Sequence, residues 1–250
     1  MLEQIKCSPN IKEIPPFGYP VWLAGFLEIG GSMYFEKMNI GHGDRFVPYA
    51  RPIIKMGDHD PIRVETLNRI MNGETIDRSK PKTLYVRLRC DKAVWLANSI
   101  RGYAPSRENI IQAFQLWSEA ESTEDRVEIA KPFYGRRTVS EISPSVYRHL
   151  VRDSNFVAGL IDGRGSVIYD NANQSIDNFR LSSINTALLY ALRNQYGGYV
   201  DELSHAGDTV FVRGTDTTML LNNNSQWVIG RNFMNELVAW AKPRLPLSNA

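Results

Sequence analysis

At 250 residues the chain can form one large domain or two small ones, each with its own core. With 43% apolar and 22% charged residues it is too hydrophobic for disorder over most of its length. A net charge of +2 does not mark a protein that coats nucleic acid, so any such footprint must come from local clustering. Cys7 and Cys90 are too few for a zinc site and read as free thiols in a reducing compartment. No apolar run reaches the length of a membrane span. Met1-Leu2-Glu3-Gln4-Ile5-Lys6 is neither an Arg- and Ser-rich presequence nor a signal-peptide core. The chain is therefore expected to work where it is made or to have shed a targeting segment.

In chain order, an apolar helix is expected over 21–30, stopped by Gly30-Gly31 through the left-handed conformation that glycine favours. Residues 33–37 alternate as a half-buried strand does, and a second strand follows at 51–56. Asp60-Pro61 opens a helix with Asp60 as cap and Pro61 at its first position; Ile62, Leu67 and Ile70 line one side, and it ends near Gly73. A strand at 84–89 and helices at 92–100 and 107–121 complete this half. Residues 122–144, charged and proline-bounded, read as a linker. Beyond them come a helix at 155–163, strands at 166–170 and 179–183, and a helix at 186–196. Strands at 199–203 and 209–214 and further helices close the chain.

The two halves echo each other. Trp22-Leu23-Ala24-Gly25-Phe26-Leu27-Glu28-Ile29-Gly30-Gly31-Ser32 aligns with Phe156-Val157-Ala158-Gly159-Leu160-Ile161-Asp162-Gly163-Arg164-Gly165-Ser166. Downstream, Leu67 matches Leu192, Gly73 matches Gly198, and Tyr85-Val86-Arg87 matches Phe211-Val212-Arg213. These paired stretches resemble the LAGLIDADG motif of intron- and intein-encoded homing endonucleases and related maturases, over about residues 20–244. The resemblance implies an α+β fold of two tandem α-β-β-α-β-β-α repeats related by a pseudo-twofold axis, with saddle-shaped antiparallel sheets over one nucleic-acid groove. On that reading the repeats occupy 18–121 and 145–246, joined by the linker 122–144, in a monomeric fold. It also implies that the motif helices pack side by side through Leu23, Ala24, Gly25 and Leu27 on one, and Val157, Ala158, Gly159 and Ile161 on the other. The small residues allow close backbone approach.

In such endonucleases the eighth motif position carries an acid that holds a divalent cation, because a hard cation needs carboxylate oxygen. Here that position is Gly30 in one copy and Arg164 in the other, so no catalytic residue and no metal ligand is expected. Glu28 and Asp162 stand at the sixth position, well round the helix, and are expected to cap or pair near the ends of the packed helices. They are also the fallback ligands of an alternative reading, a working endonuclease using magnesium. Tyr103-Ala104-Pro105-Ser106 offers no cation where the family usually has one.

Strand alternation sends Arg51, Lys55, Tyr85, Arg87, Arg89, Arg180 and Arg213 to the groove side. Cations interleaved with aromatics suit phosphates and stacking on unpaired bases. Glu36 and Asp170 on the first strands oppose duplex DNA. The expectation is thus an inactive nuclease that needs no cofactor and binds RNA rather than duplex DNA, maturase-like or a subunit of a ribonucleoprotein such as a mitochondrial ribosome. A protein-binding scaffold is the other alternative, and neighbouring proteins of such a particle are candidate partners. A mitochondrial or other organellar location is implied by the resemblance alone.

Overall fold

The computed structural model describes residues 19–42, 45–58, 64–65, 67–68, 71, 73–79, 82–134, 142–170, 175–183, 185–201 and 225–230. The chain divides into two compact units, one containing Gly31–Gly102 and Arg107–Thr138, the other containing Val21–Gly30, Tyr103–Ser106 and Val139–Ala250. The division differs from the expected boundary at 18–121: helix α1 (Tyr19–Ile29) precedes the first sheet in sequence but belongs with the second unit from Val21 onward.

In the first unit, β1 (Gly31–His42), β2 (Arg45–Asp58), β3 (Glu74–Ser79) and β4 (Lys82–Arg89) form an antiparallel sheet in the order β1-β2-β4-β3. Alternation explains its inner face: Met33, Phe35, Ile54, Met56, Val86 and Leu88 are all buried. Helical residues Val64, Leu67 and Met71, between β2 and β3, are buried too; Asp60 and Pro61 lie outside the described residues. Helices α2 (Asp91–Ser99) and α3 (Glu108–Glu119) follow β4. Phe114 of α3 meets Phe35 edge-on at 5.0 Å, and Trp117 Nε1 donates to Ala50 O at 2.8 Å.

The segment expected as a linker is partly structured. Ser122 Oγ accepts from Asp125 N at 3.0 Å and caps helix α4 (Thr123–Ala130). Phe133 then lies 6.2 Å from Phe35. Charge and bounding prolines read as a linker, but a capped helix with an aromatic tail docks this segment on the first sheet.

The second unit repeats the pattern with α5 (Ser154–Arg164), β5 (Gly165–Asp170), β6 (Ser175–Ser183), α6 (Thr186–Tyr196), β7 (Tyr199–Asp201) and β8 (Ser225–Gly230). Its strand order, β5-β6-β8-β7, is that of the first sheet. Register makes the equivalence residue by residue. Gly31 opposes Met56 as Gly165 opposes Leu181, and Glu74 opposes Arg87 as Tyr199 opposes Val228. Gly73 and Gly198, each just before its edge strand, therefore correspond. The match of 85–87 to 211–213 does not hold: the counterpart of β4 is β8, and residues 209–214 lie outside the described set. Only residues 80–81 join β3 to β4, whereas 202–224 separate β7 from β8, so a constant offset fails there. The helices expected near the C-terminus also lie outside the described residues.

Candidate functional site

Within the second unit, α1 and α5 meet backbone to backbone. A Cβ added at Gly25 would lie 2.1 Å from Phe156 O, and one at Gly159 only 1.9 Å from Trp22 O. Leu23, Ala24, Leu27, Val157 and Ala158 are buried, and Ile161 is half-buried.

The close approach extends to the foot of α1. A Cβ at Gly30 would stand 2.7 Å from Gly163 O and 3.0 Å from Gly163 Cα, both backbone atoms with little freedom to yield. Gly30 N still donates to Phe26 O at 2.7 Å, and the described glycines with positive φ are Gly102, Gly197 and Gly198. Gly30 is thus needed for proximity, not for the left-handed turn expected from the sequence. Arg164 ends α5; its side chain lies outside the described set.

Glu28, 2% exposed, is held by four donors. Its Oε1 accepts from Ser106 N at 3.1 Å. Its Oε2 accepts from Ser106 Oγ at 2.6 Å, Tyr147 OH at 2.9 Å and Asn185 Nδ2 at 3.1 Å. Burial, then the Glu28 carboxylate, pushes the Tyr147 phenol well above its ordinary range. Asn185 also caps α6, its Oδ1 accepting from Leu188 N at 3.2 Å. Asp162, 3% exposed, accepts from Trp22 Nε1 at 2.8 Å.

These groups do not fit a magnesium site. The eighth-position glycine has no room for a side chain, the Glu28 carboxylate is saturated by protein donors, and Asp162 is buried and bonded to Trp22. Among the described residues no group of three or more His, Cys, Asp or Glu is placed to hold a metal ion. In the first unit, by contrast, a cation is buried next to the motif: Arg107, 3% exposed, directs Nη2 toward Gly31 O at 3.5 Å. It falls one residue beyond the stretch 103–106 in which the sequence offered none.

The outer face of the first sheet carries the expected cations, already partnered. Arg51 Nε donates to Glu36 at 2.6 Å. Arg87 Nη2 donates to Glu74 Oε2 at 2.9 Å, and Arg89 pairs with the same oxygen. Lys55 Nζ sits 3.8 Å from the Tyr85 ring centroid. Ile53 shares this face by alternation yet is fully buried, flanked in register by Tyr34 and Arg89. Pairs at such a partly solvated surface contribute about 0–1 kcal/mol each, so their main effect is to halve the face's free positive charge.

The second sheet does not reproduce this pattern. The register positions of Lys55, Arg87 and Arg89 are taken by Arg180, Val228 and Gly230. Arg180 is therefore placed in register with the first-sheet cations, though its side chain, like all of Arg213, lies outside the described set. Sequence reasoning missed Ser106, Tyr147, Asn185, Arg107 and Glu74. Only Asn185 carried a signal, an amide directly before a helix.

No family model matches the chain, and no curated protein matches it in sequence. Solved structures do match in fold. A LAGLIDADG homing endonuclease, I-GzeII, in complex with its DNA target superposes with a TM-score of 0.56 at 14% identity, over 89% of this chain and 84% of that one. I-SmaMI bound to uncleaved DNA target in the presence of calcium ions gives 0.56 at 12% identity, over 89% and 84%. I-SmaMI bound to cleaved DNA gives 0.55 at 12% identity, over 89% and 83%. The fold is that of the LAGLIDADG homing endonucleases, α+β with two antiparallel sheets, as the motif resemblance implied.

Proposed function

We propose that this chain is a cleavage-inactive LAGLIDADG-type protein that binds nucleic acid, and RNA in preference to duplex DNA. The observation that carries the inactivity is the closed foot of α1: Gly30 is packed on the Gly163 backbone, and Glu28 is saturated by Ser106, Tyr147 and Asn185. A metal-dependent nuclease needs open carboxylate oxygens at that place.

Binding of nucleic acid is supported by the fold, whose neighbours include an endonuclease in complex with its DNA target, and by the first sheet's outer face. Arg51, Lys55, Arg87 and Arg89 stand there among Tyr34 and Tyr85. The RNA preference rests on asymmetry. A duplex read by two equivalent repeats calls for matching cations on both, yet the positions of Arg87 and Arg89 become Val228 and Gly230. Glu36 and Glu74 further dilute the charge that a regular phosphate backbone would meet. Unpaired bases stacked on tyrosine, with few phosphates contacted, suit such a face better. The biological setting that fits is a maturase or a subunit of an organellar ribonucleoprotein such as a mitochondrial ribosome. Filter binding at low salt tests this: RNA with single-stranded loops should be retained more tightly than duplex DNA of the same length. Equal or tighter retention of the duplex would refute the preference.

A further inference from the structure

We infer that the second unit carries a separate site for a phosphorylated nucleotide, in the cleft between α6 and the short helical turns that precede α5. The cleft holds a cavity of about 380 Å³, within the range of small-molecule sites. Its polar lining is Ser145, Arg148, Arg152, Asn194 and Gln195, over a buried floor that includes Val151. No carboxylate lines it.

Two features make the lining electropositive and donor-rich. First, Arg148 and Arg152 pair with no Asp or Glu among the described residues, unlike Arg51, Arg87 and Arg89 on the first sheet. Asp153, the nearest acid in sequence, is turned to the start of α5, where Oδ1 accepts from Asn155 N at 2.8 Å. Second, Arg152 Nε donates to Gln195 Oε1 at 3.0 Å. That bond orients the guanidinium and engages the carbonyl oxygen of Gln195, so that the NH₂ of this lining residue remains a donor. The wall is braced by Tyr196, whose hydroxyl donates to Val151 O. A cleft with two guanidinium groups and amide donors recognises phosphate oxygens. A cavity of this size accommodates a nucleotide rather than a bare ion. The phosphate is presented either by a free nucleotide or by a residue of a nucleic-acid strand.

The test is a ¹⁵N-resolved titration of the full chain with adenosine monophosphate, and separately with a short single-stranded RNA. The wild type and Arg148→Ala/Arg152→Ala, two exposed positions, are compared. The side-chain amide signals of Asn194 and Gln195 are expected to shift in the wild type. In the double variant the apparent affinity should fall at least tenfold, with the remaining spectrum unchanged. A shift with RNA alone identifies the strand as ligand; a shift with both identifies the nucleotide unit. No shift with either probe up to millimolar concentration, or shifts that survive the double substitution, overturns the proposal. Arg51, Arg87 and Arg89 lie in the other unit, so failure here leaves the first-sheet reading standing.

Discussion

The Tyr147 hydroxyl donates to the Glu28 carboxylate at 2.9 Å across 119 residues of sequence, and this bond joins the start of the second repeat to the motif helix of the first. It occupies the sixth-position acid of the motif. Glu28→Gln tests the role directly. Oε1 and Oε2 each face at least one donor, so either orientation of the new amide sets an NH₂ against an NH or OH. The variant is expected to lose about 1–3 kcal/mol in urea unfolding, with RNA affinity unchanged.

The helix crossing should be intolerant of any side chain. Gly25→Ala and Gly159→Ala each place a Cβ against a backbone carbonyl, where no rotamer change relieves the overlap. Each is expected to cost about 3 kcal/mol or more, read as a fall in the urea midpoint at constant slope.

Alkaline pH should destabilise the fold through its buried phenols. Burial raises the phenols of Tyr147 and Tyr196 above the ordinary 10.0, that of Tyr196 to about 12. The folded state thus holds these protons more tightly. Stability is fully present below pH 10 and is lost as pH rises through the folded values. Tyr147→Phe is expected to flatten the decline between pH 10 and 12 in a urea-midpoint series.

The first sheet's charge should be tunable by one residue. Glu74 pairs with both Arg87 and Arg89 and offsets one of their two charges, so Glu74→Gln is expected to tighten RNA binding roughly two- to fivefold at low salt. Arg87→Ala/Arg89→Ala should weaken it by about tenfold and reduce the salt slope. Fluorescence anisotropy over a salt series measures both.

Much of the fold was legible because its signals are local and repeated. Ala24-Gly25 and Ala158-Gly159 marked the helix pair, and alternation placed Ile54, Met56, Val86 and Leu88 inward. What escaped was non-local. Glu74 lies on β3, which carries no apolar alternation and was not expected as a strand. The Glu28 cluster gathers Ser106, Tyr147 and Asn185 from three separate segments, and no spacing rule links them. The long connection between β7 and β8 broke the repeat's offset, which drew attention to Arg213 where the register places Val228. Gly30 was read as a turn former, whereas its role depends on Gly163, far along the chain.

The most direct measurement incubates the pure protein with randomised duplex DNA and single-stranded RNA, in magnesium and in manganese, and scores bound and cut fractions in the same samples. RNA retained on the protein with both substrates uncut is the expected result. Metal-dependent nicking that Glu28→Gln or Asp162→Asn abolishes would contradict it.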